Sequence, residues 1–202
     1  MLTFAAAVFF LIVSPGPGVL SAAGVGAAFG FRAGLRYVFG LFLGNNLVIL
    51  AVVSGLATLV LANPLIRTLL FGLSTLYLLY LAARIAFAGS KLAFIEAHRE
   101  PGIMSGFLLQ PINPKAYAVN TALFSGFAIF PDAFVLEVMW KILIANAIWV
   151  PIHVVWVWFG GALKRLDLSQ TVQRRINFAM AGSMLIVVGL AIVTQFAAIE
   201  FP

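Results

Sequence analysis

Long apolar runs fill the chain, cut by short polar or proline-containing breaks rather than alternating with them. Six runs stand out, at about residues 2–30, 35–61, 65–88, 104–130, 133–160 and 176–199. The breaks fall at Phe31-Arg32-Ala33-Gly34, Asn63-Pro64, Ser90 to Gly102, Pro131-Asp132, and Leu163 to Arg175. A hydrocarbon core of about 30 Å takes about 20 helical residues, so each run is long enough to cross one. Backbone amides cannot go unpaired in lipid, and the runs are too long for barrel strands, so the pattern predicts helices. No positive segment precedes the first run and no cleavage-like site follows it, so it reads as a retained span and not as a signal peptide.

Composition agrees with the pattern. Of 202 residues, 63% are hydrophobic and 9% are charged, whereas a soluble domain carries about 25% charged residues to face water. The absence of cysteine excludes disulfide frameworks, thiolate metal sites and cysteine redox relays. The formal charge of +6 raises the question of a nucleic-acid partner. Its distribution answers no. Arg32, Arg36, Arg84, Lys91, Arg99, Lys164, Arg165, Arg174 and Arg175 follow the odd-numbered runs, whereas Arg67 and Lys141 belong to the opposite side. The positive-inside rule then places the odd-numbered loops, including residues 89–103, in the cytoplasm and both termini outside. The expectation is an all-α membrane protein forming one transmembrane domain over residues 1–202.

The prolines refine this. Pro15-Gly16-Pro17 lies about 12 residues into the first run and Asn113-Pro114-Lys115 about 10 residues into the fourth, which puts both near the bilayer midplane. Pro15 and Pro114 are 99 positions apart. Three spans per half is an odd number, so the pattern predicts two inverted three-helix repeats, at about 1–88 and 104–199, with spans one and four broken. Interrupted spans at matching places in inverted halves point to a transporter's binding site. Ser14 or Gly16 suits an N-cap with Pro17 at the first helical position, and Asn113 with Pro114 repeats that arrangement. Each second half-helix then aims unpaired N–H groups at the membrane centre. Lys115 adds a full positive charge, suited to a carboxylate.

Other polar residues fall at the same depth. Asn45 and Asn46 lie about ten residues into the second run and Asn146 about 13 into the fifth. With the unwound carbonyls near Val13, Ser14 and Ile112, they could hold an α-ammonium; they could equally pair across helices. His153, seven residues beyond Asn146, is either a proton carrier, in a region hydrated at the Ala147 carbonyl that Pro151 frees, or a neutral ring bonded to a neighbouring carbonyl. Asp132 and Glu137, read as solvated at the outer surface, are further candidates for a coupling proton. Gly24, Gly26, Gly30, Gly40 and Gly44 allow close helix contact, and the Gly40-x-x-x-Gly44 spacing also suits a homodimer face. Tyr77, Tyr80, Tyr117 and Trp149 are candidates for side-chain selectivity.

At these residues the chain resembles the LysE/RhtB-type amino-acid exporters. The likeness rests on Ser14-Pro15-Gly16-Pro17, Gly30-Phe31-Arg32-Ala33-Gly34, Gly40-x-x-x-Gly44, Tyr77-Leu78, Gln110-x-x-Asn113-Pro114-Lys115, and the last run from Arg174-Arg175 through Gly182 to Gly189. It implies a six-span secondary exporter in a bacterial inner membrane, moving small amino acids or their derivatives outward on the proton gradient. It differs from many members in having Asn45 where they carry an acid and Ser74 where they carry glycine. The first difference argues against a strongly cationic substrate such as lysine. The substrate-binding set expected is Ser14, Pro15, Gly16, Pro17, Asn45, Asn46, Asn113, Pro114, Lys115 and Asn146, with no cofactor and no metal.

Two other classes fit less well. A divalent-metal exporter of related architecture wants several carboxylates or a His/Cys cluster, and the spans hold one histidine and no clear carboxylate. An intramembrane enzyme would show a motif such as H-E-x-x-H or G-x-S-x-G, and the chain has neither.

Overall fold

The computed structural model describes residues 1–14, 16–55, 100–166 and 168–200, with isolated positions between 65 and 87. Pro15, Ser74, the Tyr77-Leu78 pair, most of the expected third span, and the basic residues Arg67, Arg84, Lys91 and Arg99 lie outside the described residues. The described residues form α-helices and no strand. In chain order these are α1 (Leu2–Val13), α2 (Pro17–Phe29), α3 (Phe31–Val53), α4 (Ile103–Leu109), α5 (Pro114–Gly126), α6 (Phe134–Arg165) and α7 (Gln170–Glu200).

The interruptions follow from proline chemistry. A residue before proline is pushed out of the helical region by the proline ring. Ser14, before Pro15, has ψ 134°; Gly16, before Pro17, has ψ 176°; Asn113, before Pro114, has ψ 107°. Pro17 and Pro114 then open α2 and α5, where a missing N–H costs nothing. The axes of α1 and α2 differ by 56°. Pro151 behaves differently, since α6 runs unbroken through it.

Three expected boundaries are corrected. Phe31 to Gly34 form the first turn of α3, not a loop. The chain reverses at Gly30 alone, whose φ of +85° is open to glycine at little cost. At the other end, most of the expected break from Leu163 to Arg175 is helical: α6 continues to Arg165 and α7 starts at Gln170. Lysine and arginine are good helix formers and their long stems let the charged heads leave an apolar zone, so charge does not end these helices. The fourth run ends at Gly126, short of the expected residue 130.

Packing is closest where glycines meet neighbouring backbone. Gly26 of α2 lies against the Val157 carbonyl of α6, and Gly160 of α6 against the Ala23 carbonyl of α2. Gly40 and Gly44 face the carbonyls of Ile103 and Phe107, so the GxxxG surface of α3 is occupied by α4 of the same chain. In α2 every residue from Pro17 to Gly26 is buried. The outward faces are apolar instead, with Phe10, Val135, Met139, Leu143 and Trp158 exposed. α3, with 23 residues, and Phe134–Leu163, with 30, are each long and apolar enough to cross a membrane, and α1 with α2 form a bent pair that passes the same test together. Buried polar backbone inside and apolar side chains outside is the arrangement lipid demands, and the chain is a multi-pass membrane protein.

Candidate functional site

The two breaks meet. They bound a small open cavity of about 50 Å³. Ser14, Gly16 and Gly18 line it from the first break, and Gln110, Asn113 and Lys115 from the second. Asn45 of α3, Asn120 of α5, and Trp149 and His153 of α6 close the remaining wall. Leu11, Ile12, Val19 and Val119 make the rest of the surface apolar.

Lys115 has a different immediate partner from the expected free anion. Its Nζ donates to the Ser14 carbonyl at 2.6 Å and to Ser14 Oγ at 2.7 Å. That hydroxyl in turn donates to the Leu11 carbonyl at 2.9 Å. The ammonium therefore sits on the C-terminal end of α1, where unpaired carbonyls carry partial negative charge. It clasps one break to the other, with two of its three N–H bonds assigned to Ser14. The α5 end is capped as expected: Asn113 Oδ1 accepts from the Lys115 backbone N–H at 3.2 Å. Gly16, the N-cap of α2, leaves room for the Lys115 stem, since a Cβ there would lie 2.7 Å from Lys115 Cδ and displace it.

The asparagines separate into two functions. Asn45 is buried and its Oδ1 accepts from Asn120 Nδ2 at 3.1 Å, at the cavity wall. Asn46 and Asn146 exchange amide hydrogen bonds of 3.3 and 2.8 Å, tying α3 to α6 away from the cavity. Neighbouring residues on a helix point about 100° apart, so one of an Asn-Asn pair reaches the cavity and the other does not. Pro17 and Pro114 open their helices, and Pro17 is not among the cavity-lining residues.

His153 is buried in the wall, stacked on Trp149 with ring centroids 3.5 Å apart. Its Nδ1 lies 2.9 Å from the Trp149 carbonyl. A carbonyl only accepts, so Nδ1 carries the hydrogen, and in the neutral ring Nε2 is left with a lone pair. Nε2 reaches toward α2 beside Gly18, where an added Cβ would lie 3.3 Å from it.

The acidic candidates lie elsewhere. Asp132 is exposed, as expected. Glu137 is not the solvated residue the sequence implied: its carboxylate accepts from the backbone N–H groups of Ile129 and Phe130 and pairs with Lys141 at 2.6 Å. Lys141, only 2% exposed, also donates to the carbonyls of Phe124 and Phe127. The cause is the 127–133 connection, which folds over the start of α6 and leaves backbone groups that a carboxylate and an ammonium satisfy.

Two polar residues of the cavity wall, Gln110 and Asn120, were missing from the expected set. Gln110 is 2% exposed and its Oε1 accepts from Asn113 Nδ2 at 3.1 Å. Asn120 lies seven residues after Asn113, two helical turns along the same face, which is the signal that identifies it.

The chain is 27% identical to a leucine efflux protein of Klebsiella pneumoniae subsp. pneumoniae over 131 residues, covering 62% of each chain. Against leucine efflux proteins of Salmonella choleraesuis and Salmonella typhi it is 29% identical over 86 residues, covering 43% of this chain and 41% of each relative. The chain thus spans less than two thirds of the length of these curated relatives. No solved structure matches the chain. The model of the LysE type translocator family matches residues 9–196, and the chain belongs to that family of membrane transporters, which are not enzymes.

Proposed function

We propose that the chain is a secondary-active exporter of small amino acids or their derivatives across the bacterial inner membrane. Its six spans form two inverted three-helix repeats that rock about the cavity by alternating access. Both termini face outward, by the distribution of basic residues. The observation that carries the reading is the Lys115–Ser14 clasp, which brings the two helix breaks to one polar cavity. A substrate carboxylate entering there meets the third N–H of Lys115 and the N-terminal end of α2. It is also offered the Gln110 and Asn45 side chains.

The coupling ion in this reading is a proton, and His153 carries it, since Nε2 is a lone pair at the cavity wall. Asp132 and Glu137 are set aside, the first exposed outside the cavity and the second committed to Lys141. The leucine efflux proteins among the relatives support an amino-acid cargo.

Everted vesicles with labelled amino acids, with and without a collapsed proton gradient, test the reading. Gradient-dependent uptake is expected for wild type. Lys115→Ala is expected to abolish it while the protein remains in the membrane at the normal level. Wild-type transport by that variant would remove Lys115 from the site.

A further inference from the structure

The cavity is electrically one-sided. Its wall holds one ammonium, on Lys115, and no carboxylate among the described residues. The shortage extends through the chain, whose acidic residues are Glu96, Glu100, Asp132, Glu137, Asp167 and Glu200. None lies inside an apolar run at the depth of the breaks. Glu100 pairs with Arg36 at the surface, and Glu137 pairs with Lys141.

The neutral acceptors are also partly committed. Asn45 Oδ1 accepts from Asn120, Gln110 Oε1 from Asn113, and the Ser14 carbonyl from Lys115. His153 Nε2 offers a lone pair when the ring is neutral and a positive charge when it carries the coupling proton, never a negative one. An α-ammonium brought into this space loses its water, is repelled by Lys115, and meets dipoles in place of a counter-charge. A carboxylate there gains from the same lysine. The site is built to read the acid end of a ligand by charge and to leave the amine end unread.

We propose that this cavity takes monocarboxylates lacking the ammonium, branched-chain 2-oxo acids above all, as a second substrate class. They bind at least as well as the amino acid of the same carbon skeleton. The apolar part of the wall, from Leu11, Ile12, Val19 and Val119, receives the branched tail. This inference rests on the export reading above and adds to it.

The test is counterflow in proteoliposomes of the purified full chain, using labelled leucine and the labelled 2-oxo acid with the leucine skeleton. In wild type the 2-oxo acid is expected to compete with leucine at equal or lower concentration. A site that read the ammonium by charge would reject it by about tenfold or more, the worth of a hydrogen bond to a charged group. Asn45→Asp, which puts a carboxylate into the wall, is expected to shift the preference toward leucine by about tenfold. If that variant does not fold, the wild-type comparison still decides. A wild-type preference of tenfold or more for leucine overturns the inference and leaves the export reading standing. Failure of both compounds to exchange overturns the export reading itself.

Discussion

Gly40→Ala tests whether the packing of α3 on α4 holds the cavity in shape. An added Cβ at Gly40 would sit 1.9 Å from the Ile103 carbonyl oxygen and 2.9 Å from the Phe107 nitrogen. Ordinary contact begins near 3.4 Å, so α4 must retreat by about 1.5 Å. The obstruction is backbone, which cannot swing aside as a side-chain tip can. Overpacking of this kind costs about 1–3 kcal/mol, and the better helix propensity of alanine returns up to about 1 kcal/mol. A net loss of about 1–2 kcal/mol is expected, or about 2–8 °C in Tm for a chain of this size. Thermal unfolding in detergent reads the stability, and vesicle uptake reads the function. Uptake should fall too, because α4 leads directly into Gln110 and Asn113 at the cavity. Gly126→Ala is the control, since a Cβ there meets nothing within 4 Å and should leave both readings unchanged. A Gly40→Ala protein that melts and transports like wild type would refute the close-contact account.

Gly16→Ala acts on the clasp. Its Cβ would crowd Lys115 Cδ at 2.7 Å and Nζ at 3.2 Å, and a flexible side chain gives way easily; uptake is expected to fall several-fold with little change in Tm. Lys141→Met should lower Tm more than the double replacement Glu137→Gln with Lys141→Met, because removing one partner of a buried pair strands the other. Equal melting of the single and double variants would show the pair to be independent.

The breaks were legible in the sequence because the preference that makes them is local: a proline disfavours helix at the residue before it, and glycine, serine and asparagine there do not resist, whereas the long apolar helix around Pro151 overrides it. Asn113 as a cap was legible for the same reason. The turn at Gly30 was not, since a stretch with glycines at 24, 26, 30, 34, 40 and 44 does not say which of them takes a positive φ. The partner of Lys115 lies 101 positions away, at Ser14, and nothing short of the tertiary fold pairs them. Asn46 and Asn146 show the reverse case. Depth left a place at the site and a cross-helix pair equally open, and the direction of their side chains, which depth does not give, selects the pair. Glu137 and Lys141 stood at visible i, i+4 spacing, but their burial depends on a connection with no periodic signal.

The one-residue corner at Gly30 has a mechanical consequence. With a single residue between them, α2 and α3 have almost no slack. Both also lean on the same turn of α6, Gly26 on the Val157 backbone and Gly34 on its side chain. These three elements form a tripod, and α4 is keyed to it where Gly40 and Gly44 meet the Ile103 and Phe107 carbonyls. In the export cycle proposed above, the slack then lies at the proline-bounded gaps, where α1 ends and α5 begins.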